Sequence, residues 1–294
     1  MTLSVHVGAH KTASTHLQQS LRSVLPQMLR AGVIYSDGTH LRGGGKVQLD
    51  AALGHGDRAR RHRAALRRRL DRLDEIWPET LISEENILGT VKPESLLGDG
   101  NLIYPHAGSR MALLAEAARQ RPMTVFMSVR EPVSFLTSAF LMRLQGGREA
   151  DWVEFLGGFD PAALSWAGLA ERLLAVHSVA RLVVWRYEDY AAIRPAVLAR
   201  MLPAALVDRV ANPPPAMVGL SQAAVQQVLG HSAGNDTDTD LSDLARAAKS
   251  AYPRRKREAA PLMGDDATQC AAQRAYEADL DRMAALPRVE LLRP

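Results

Sequence analysis

Short apolar runs alternate with longer amphipathic segments along most of the chain. The first apolar run begins at Leu3, and four more have the pattern of buried strands: Val33–Ser36, Thr80–Ile87, Met123–Arg130 and Arg181–Tyr187. Each run is bounded by polar or turn residues, and helical patterns fill the gaps between them. This alternation predicts a three-layer α/β fold, in which helices flank a central, mainly parallel sheet of about five strands.

The segments between the strands show helix and loop signals. Leucine and valine recur at helical spacing from Thr15 to Leu25, and Pro26 then ends that helix or starts a second one that stops at Gly32. A final helical pattern covers Gln269–Ala285. Glycine, proline and polar clusters predict four loop or boundary segments: Gly38–Gly56, Leu97–Ser109, Asn212–Pro215 and Gly234–Asp240.

The composition suits one large domain. The chain has 294 residues, 47% of them hydrophobic, which is enough for a single domain over residues 1–294. We divide it into an α/β core (1–211) and a helical C-terminal appendage (212–294). The single cysteine, Cys270, excludes an intrachain disulfide and fits a reducing compartment. Neither a signal-peptide pattern nor an apolar run of membrane-spanning length is visible, so we expect a cytoplasmic protein.

The net charge of +4 is modest, but its distribution is uneven. Arginine is dense from Arg58 to Arg72, and a second basic run covers Arg254–Arg257. Either run could face an anionic ligand or form a solvated helix face, and nearby acidic residues favour the solvated face for the first run. Few aromatic residues lie among these charges, so we expect no nucleic-acid partner.

The segment after the first strand carries the clearest chemistry. Gly8 ends the apolar run, and the chain enters a helix through six residues rich in hydroxyl groups: His10, Lys11, Thr12, Ala13, Ser14 and Thr15. A glycine turn before a helix N-terminus directs amide N–H groups and a partial positive charge at a bound anion. Lys11 adds a full charge, while Ser14 and Thr15 add hydroxyl donors. These residues therefore predict a phosphate or sulfate site.

This loop differs from that of ATP- and GTP-binding proteins. Counted from Gly8 in the motif G-x-x-x-x-G-K-[ST], Ala13 stands at the second glycine. Ser14 then stands at the lysine position and Thr15 at the hydroxyl position, while Lys11 comes three residues too early. The spacing disfavours a magnesium–triphosphate site and leaves a smaller anionic group as the ligand.

A second candidate anion site follows the fourth predicted strand. Arg130 stands at the carboxyl end of that strand, where open α/β sheets bind ligands. Pro132 suits the first turn of a helix, which places Ser138 about two turns along it. A guanidinium with a nearby hydroxyl binds a phosphate dianion well. The alternative is an ion pair of Arg130 with Glu131 or Glu188.

Four motifs, in order, give the chain a resemblance to the PAPS-dependent sulfotransferases, and to their bacterial branch in particular. Lys11–Thr15 is similar to the family's K-[TS]-[GA]-[TS]-[TS], and Arg130–Ser138 to its R-x-P with a serine eight residues after the arginine. Ser83–Asn86 resembles the family's Ser-x-Glu-Asn strand end, and Tyr187–Asp189 a late Tyr-Glu-Asp. The resemblance covers residues 3 to about 190 and implies a P-loop-like fold.

The resemblance implies a donor substrate, 3′-phosphoadenosine 5′-phosphosulfate (PAPS), and the residues that hold it. Lys11, Ser14 and Thr15 would bind the 5′-phosphosulfate. Arg130 and Ser138 would bind the 3′-phosphate. Transfer of the sulfuryl group to a hydroxyl or amine would leave the desulfated nucleotide PAP and would need no metal. Lys11 would also neutralise the charge that develops on the leaving-group oxygen.

The acceptor needs a base within hydrogen-bond reach of its proton. By its place in Ser-x-Glu-Asn, Glu85 is our candidate catalytic base, and an ion pair with Lys11 is its alternative or additional role. Glu84 would face the opposite side of an extended strand, so at most one of the two glutamates should reach the site. Histidines are the remaining candidates: His106, His10 and His16.

The sequence departs from the family's pattern at several positions, and these departures bear on the class of acceptor. Ala13 replaces the glycine of the family's first loop, and His16 stands where members that act on aromatic substrates have tryptophan. The glycine-rich C-terminal signature is absent, and Arg254–Arg257 is its candidate substitute. We therefore expect a carbohydrate, lipid-linked or small-metabolite acceptor, with the oligomeric state left open. The competing functions are a P-loop-like kinase or nucleotide hydrolase, and a non-catalytic nucleotide-binding module.

Overall fold

The fold is given by a computed structural model, which describes residues 2–42, 47–148, 151–214, 218–232, 240–255 and 258–294. Within these ranges the chain forms eight strands: β1 (Thr2–His6), β2 (Val33–Asp37), β3 (Glu79–Ser83), β4 (Leu97–Gly98), β5 (Leu102–Ile103), β6 (Met123–Val129), β7 (Val179–Arg186) and β8 (Val289–Leu292). Six of them form one parallel sheet in the order β2-β3-β1-β6-β7-β8. The other two, β4 and β5, form a small antiparallel hairpin.

Helices connect and cover the strands. Over the described ranges they are α1 (Ser14–Arg22), α2 (Leu25–Arg30), α3 (Gly38–Leu41), α4 (Leu49–Ala52), α5 (Gly56–Ile76), α6 (Pro93–Leu96), α7 (Ala107–Ala117), α8 (Pro132–Gln145), α9 (Trp152–Leu156), α10 (Trp166–Leu174), α11 (Tyr190–Met201), α12 (Ala204–Val207), α13 (Gln222–Ser232), α14 (Leu241–Ala251) and α15 (Asp266–Ala284). Pro26 lies in the first turn of α2, where the sequence predicts the start of a second helix. Among the helices described, none is long and apolar enough to cross a membrane.

The sheet separates two apolar cores, which makes the fold three-layered. Successive side chains alternate between them: Val125 and Met127 lie in one core, and Phe126 lies in the other. Residues of α5, α7, α8, α10 and α13–α15 contribute to the first core, and residues of α1, α2, α11 and α12 to the second. The predicted α/β fold, with a parallel sheet flanked by helices, is confirmed.

The sheet differs from the sequence prediction in strand number and in one boundary. The described central sheet has six strands rather than about five, because β8, in the segment expected to be helical, pairs with β7. Its four residues at the sheet edge are too few to show a strand period. The predicted strand Thr80–Ile87 stops at Ser83, because a 3₁₀ turn over Glu85–Ile87 follows.

Two predicted loops contain short regular elements. Both α3 and α4 lie within Gly38–Gly56, whose residues 43–46 are outside the described ranges, and the β4–β5 hairpin lies within Leu97–Ser109. The Asp37 carboxylate starts α3 by accepting a hydrogen bond from the Thr39 amide at 3.0 Å. Two predicted boundaries lie partly outside the described residues: Asn212–Pro215 and Gly234–Asp240.

A buried carboxylate attaches α15 to the core. Asp279, only 9% exposed, accepts hydrogen bonds from Ser165 Oγ at 2.7 Å and from the Ala167 amide at 2.9 Å, both at the start of α10. The guanidinium of Arg282 lies 3.3 Å from the same carboxylate. Since β8 follows α15 directly, this attachment also sets where the last strand meets the sheet.

Replacing Asp279 with alanine should lower the free energy of unfolding by about 2–3 kcal/mol, because the buried Ala167 amide loses its acceptor. Asp281→Ala is the matched control on the same helix. The Asp281 side chain is 77% exposed and pairs with Arg293 at the surface, so we expect a change below about 0.5 kcal/mol. Urea denaturation followed by circular dichroism measures both, and equal effects would contradict the role given to Asp279.

Candidate active site

The loop between β1 and α1 lies at the carboxyl end of the central strands. Two of its amides, Val7 N and Ala9 N, continue the hydrogen-bond ladder with the β6 side of the sheet. The chain then turns sharply, with φ of 36° at Gly8, 64° at Lys11 and 65° at Ala13. A non-glycine residue in the left-handed region costs on the order of 1 kcal/mol or more. Two such residues in one loop indicate a shape kept for function.

Gly8 and Ser14 form the tightest part of this loop. A Cβ on Gly8 would lie 2.5 Å from Ser14 Oγ and 2.9 Å from His6 Nε2, so only glycine fits there. Ser14 Oγ is buried and has no hydrogen-bond partner among the described residues. Buried hydroxyls are normally paired, and this one belongs to the first residue of α1, where helix amides also face outward. An anion at this point would satisfy both.

The hydroxyl groups of the loop differ in whether they are engaged within the loop itself. Thr12 is buried, and its Oγ1 donates to the Ala9 carbonyl at 2.5 Å, so this hydroxyl closes the loop. Ala13 is the N-cap residue of α1 and has no side chain with which to cap it. Thr15 is half-buried in the first helical turn. Ser14 and Thr15 are therefore the hydroxyls placed for a ligand.

His10 is held by its neighbours on both ring nitrogens. The His10 amide donates to Tyr104 Oη at 3.0 Å, so the Tyr104 hydroxyl proton is free to point at His10 Nδ1, 2.8 Å away. Nε2 then carries the ring proton and donates to Asn86 Oδ1 at 3.0 Å. Burial lowers the pKa of His10, in keeping with a neutral ring. The side chain predicted to contact the ligand thus braces the loop.

Lys11 is half-buried and makes no ion pair with any residue that the structure describes. Burial is the main cause that lowers the pKa of its ammonium group, and the charges of Arg130 and Lys249 lower it further. The ion pair with Glu85 considered from sequence is not formed. A lysine surrounded by cations is the arrangement expected where an anion is to be bound.

Arg130 is buried beside Lys11. Its Nη1 donates to Lys11 O at 2.8 Å, its Nε donates to Ser134 Oγ at 2.9 Å, and its guanidinium lies 4.5 Å from the centre of the Tyr187 ring. Ser138, predicted to bind the same phosphate as Arg130, is half-buried on α8 one turn beyond Ser134.

The ion pairs considered for Arg130 do not form in the described chain. Glu131 instead caps α8, accepting from the Val133 and Ser134 amides, and Glu188 accepts from the Glu131 amide. Burial lowers the pKa of Arg130. The charges of Tyr187, Glu188 and Glu131 partly oppose this lowering. The guanidinium is therefore buried and forms no ion pair with a described carboxylate, although two carboxylates act on it from a greater distance.

Arg42 joins the two candidate carboxylates. Its guanidinium contacts Glu84 at 2.8 and 2.5 Å and Glu85 Oε1 at 2.8 Å. Gln18 Nε2 lies 3.3 Å from the other Glu85 oxygen. One arginine can contact both side chains because the chain leaves the extended conformation at Glu85, where the strand alternation ends.

The pKa values of the two carboxyl groups shift in opposite directions. Burial raises the pKa of both, and at Glu84, only 1% exposed, the raised pKa persists. At Glu85, 15% exposed, the hydrogen bond and charge of Arg42 outweigh burial and lower the pKa. Glu85 is therefore the more accessible carboxylate and the one whose ionised form is favoured. Sequence reasoning missed Arg42, which lies just after α3 in a segment predicted only as a loop.

The remaining histidine candidates are placed less well for catalysis. His16 Nδ1 lies 3.1 Å from Tyr190 Oη, and its Nε2 lies 2.9 Å from the Pro213 carbonyl, so both ring nitrogens are engaged. His106 is exposed at the N-cap of α7.

Two cations from the C-terminal segment act on the same site. The charge of Lys249, near the end of α14, reaches Lys11, and the charge of Arg254 reaches Arg130. Arg254 belongs to the basic run Arg254–Arg257, of which residues 256 and 257 lie outside the described ranges. No sequence motif predicts a role for Lys249, because it comes near Lys11 only through the packing of α14 on α8.

The first basic run lies on α5, and most of its arginines contact carboxylates or other polar groups of the described chain. Arg60 pairs with Asp57, and both Arg63 and Arg67 lie near Glu116 on α7. These contacts agree with a solvated helix face. Arg58, at the start of the helix, hydrogen-bonds Gln48 and belongs to a different surface.

Comparisons with known proteins add one distant likeness. No protein-family profile and no curated protein matches the chain. Among solved structures, it is similar to the crystal structure of a sulfotransferase from Alicyclobacillus acidocaldarius. The TM-score is 0.46 and the identity 13%, with 99% of this chain and 97% of that one covered. Two chains this distant in sequence and backbone need share neither ligand nor reaction, so function has to be argued from the site itself.

His6, the last residue of β1, is a buried neutral ring next to Gly8 of the loop. It is 1% exposed, its Nδ1 lies 2.8 Å from Ser83 Oγ, and its ring stacks on Trp185 with centroids 5.9 Å apart. Burial lowers the pKa of His6 to about 4, and the charge of Glu85 opposes this only in part. The ring therefore adds no charge to the loop at neutral pH.

Acidification should destabilise the protein through His6. An unfolded histidine has a pKa near 6.5, so between that value and about 4 the unfolded chain binds the extra proton. The contribution of His6 to the free energy of unfolding is therefore fully present above pH 6.5. It falls as the pH drops, by about 2 kcal/mol at pH 5. Urea denaturation at pH 7 and pH 5 should show a smaller loss for His6→Gln and an unchanged loss for the exposed control His106→Gln. An equal loss in all three proteins would contradict this role.

Proposed function

We propose that this chain is a sulfotransferase that moves a sulfuryl group from PAPS to a hydroxyl or amine of an acceptor. The observation that carries the proposal is the 2.8 Å hydrogen bond from Arg130 Nη1 to the main-chain carbonyl oxygen of Lys11, which attaches the Arg130 guanidinium to the loop that carries Lys11. PAPS presents two anionic groups, at the 5′ and 3′ positions of one ribose. The four motifs discussed above support the same donor.

The loop would hold the 5′-phosphosulfate. Lys11 supplies a positive charge without a carboxylate partner in the described chain, and Ser14 supplies a buried hydroxyl that lacks a partner there. The first turn of α1, including Thr15, adds amide and hydroxyl donors. Because Gly8 has no side chain, the space beside Ser14 Oγ stays free for an anion.

Arg130 would hold the 3′-phosphate. The hydroxyl already in contact with it is that of Ser134, and Ser138 lies one turn further along α8. Arg254, whose charge reaches Arg130, would add to the attraction for a dianion. We propose that Arg254 takes the place of the glycine-rich C-terminal signature that the chain lacks.

The transfer needs a base and a stabiliser for the leaving group. The acceptor oxygen or nitrogen forms a bond to sulfur while the bond from sulfur to the 5′-phosphate oxygen breaks. Glu85, ionised at neutral pH, takes the acceptor's proton. Lys11 neutralises the charge that builds on the departing oxygen. The products are the sulfated acceptor and PAP, and Glu85 later releases the proton to water.

Binding of PAP tests the donor site without knowledge of the acceptor. PAP should raise the melting temperature of the wild-type protein without magnesium, and ATP with magnesium should raise it less. Arg130→Ala should bind PAP about tenfold to a hundredfold more weakly, because a buried charge-assisted contact is lost. Arg181→Ala is the matched control, an exposed arginine on β7 that pairs with Glu290. Stronger stabilisation by magnesium–ATP would instead indicate a kinase or hydrolase.

Turnover of labelled PAPS against a panel of acceptors tests the catalytic roles. Lys11→Ala and Glu85→Gln should each lower kcat by roughly a hundredfold or more, since each removes a group needed in the transition state. Glu94→Gln, an exposed glutamate on α6, is the control and should keep full activity. Full turnover in Lys11→Ala and Glu85→Gln would remove both assigned roles. Binding of PAP by the wild-type protein without turnover of any acceptor would favour a non-catalytic module.

A further inference from the structure

An open cavity of about 610 Å³ lies next to the candidate base. Its lining comes from the segment after β2, from α4, α5 and α7, and from the turn after β3. Seven of the lining side chains are polar: Arg42, Gln48, Asp50, His55, Arg58, Asn86 and Arg110. A cavity of this size can hold a mono- or disaccharide or a similar small molecule.

One end of the cavity reaches the catalytic residues. Arg42, which lines it, contacts Glu85 at 2.8 Å. Asn86 also lines it, and its Oδ1 is engaged by His10 of the anion-binding loop, which leaves the amide NH₂ for a ligand. A hydroxyl or amine bound at this end would therefore be close to both the base and the loop.

The three arginines of the lining differ in their partners among the described residues. Arg110 pairs with Asp50 at 2.7 Å and donates to the Asn86 and Ile87 carbonyls, so its role is structural. Arg42 is taken up by two glutamates. Arg58 is different: it donates to Gln48 Oε1 at 3.2 Å and, in the part of the chain that the structure describes, makes no ion pair.

The position of Arg58 adds to this charge. It lies in the first turn of α5, a helix of 21 residues whose N-cap residue, His55, provides no side-chain hydrogen bond and also lines the cavity. The partial positive charge of the helix terminus and the guanidinium therefore act in the same place. An anionic group is the ligand chemistry that suits this end.

We propose that the cavity is the acceptor site and that it selects acceptors carrying an anionic group, a carboxylate or a phosphate or sulfate ester, which Arg58 binds. The reacting hydroxyl or amine lies at the Glu85 end. This inference rests on the proposed sulfotransferase function. It deepens that function by naming the acceptor class, and Arg58 is the residue that determines specificity.

Direct titration tests the site without any nucleotide. The probes are 4-nitrophenyl β-glucuronide and 4-nitrophenyl β-glucoside, which differ in a carboxylate, with glucose 6-phosphate against glucose as the phosphate arm. We expect calorimetry or NMR to show roughly tenfold tighter binding of the anionic member of at least one pair to the wild-type protein. In Arg58→Gln the preference should fall to about twofold or less. Arg68→Gln should keep it, because this exposed arginine lies ten residues, about 15 Å, further along α5.

Three outcomes would overturn the acceptor proposal: no binding of any anionic probe at 10 mM or so, equal binding within both pairs, or a preference that Arg58→Gln retains. A circular dichroism spectrum and melting temperature equal to wild type establish that Arg58→Gln is folded. Failure of PAP to stabilise the wild-type protein would instead refute the sulfotransferase function while leaving the titration result in place. In transfer assays, Arg58→Gln should raise KM for the anionic acceptor roughly tenfold and leave that for the neutral one unchanged.

Discussion

The candidate site depends on one hydrogen bond between residues 119 positions apart, from Arg130 Nη1 to Lys11 O. A loop with two non-glycine residues in the left-handed region does not keep its shape unaided. Arg130 can supply the constraint because Ser134 and the Tyr187 ring already hold its guanidinium in place. The bond fixes the loop against a buried guanidinium, and burial together with the charge of Arg130 lowers the pKa of the Lys11 ammonium group.

Arg42 plays the corresponding part on the acceptor side. One guanidinium contacts two adjacent carboxylates, and the difference in their exposure leaves Glu85 with the lowered pKa and Glu84 with the raised one. The same arginine forms a wall of the cavity. The loop after β1, Glu85 and the cavity are therefore linked through His10, Asn86 and Arg42.

Prediction from sequence succeeded where a local pattern carries the information. The five apolar runs became strands because buried parallel strands are continuous apolar segments, and Pro26 started a helix as its fixed φ requires. It failed at β8, whose short edge strand exists only because β7 offers a free edge. The contact of Arg130 with Ser134 had no signal in the sequence, because it depends on the side-chain geometry at the start of α8.

The sequence by itself determined the layer architecture and the charged and hydroxyl residues of the loop after β1, since these follow from periodicity and from neighbours along the chain. Tertiary structure alone decided that Arg42 partners Glu85, that Lys249 and Arg254 reach the site, and that Arg58 faces a cavity. Charges far apart in the chain act on one another only after packing brings them within a Debye length or removes the water between them.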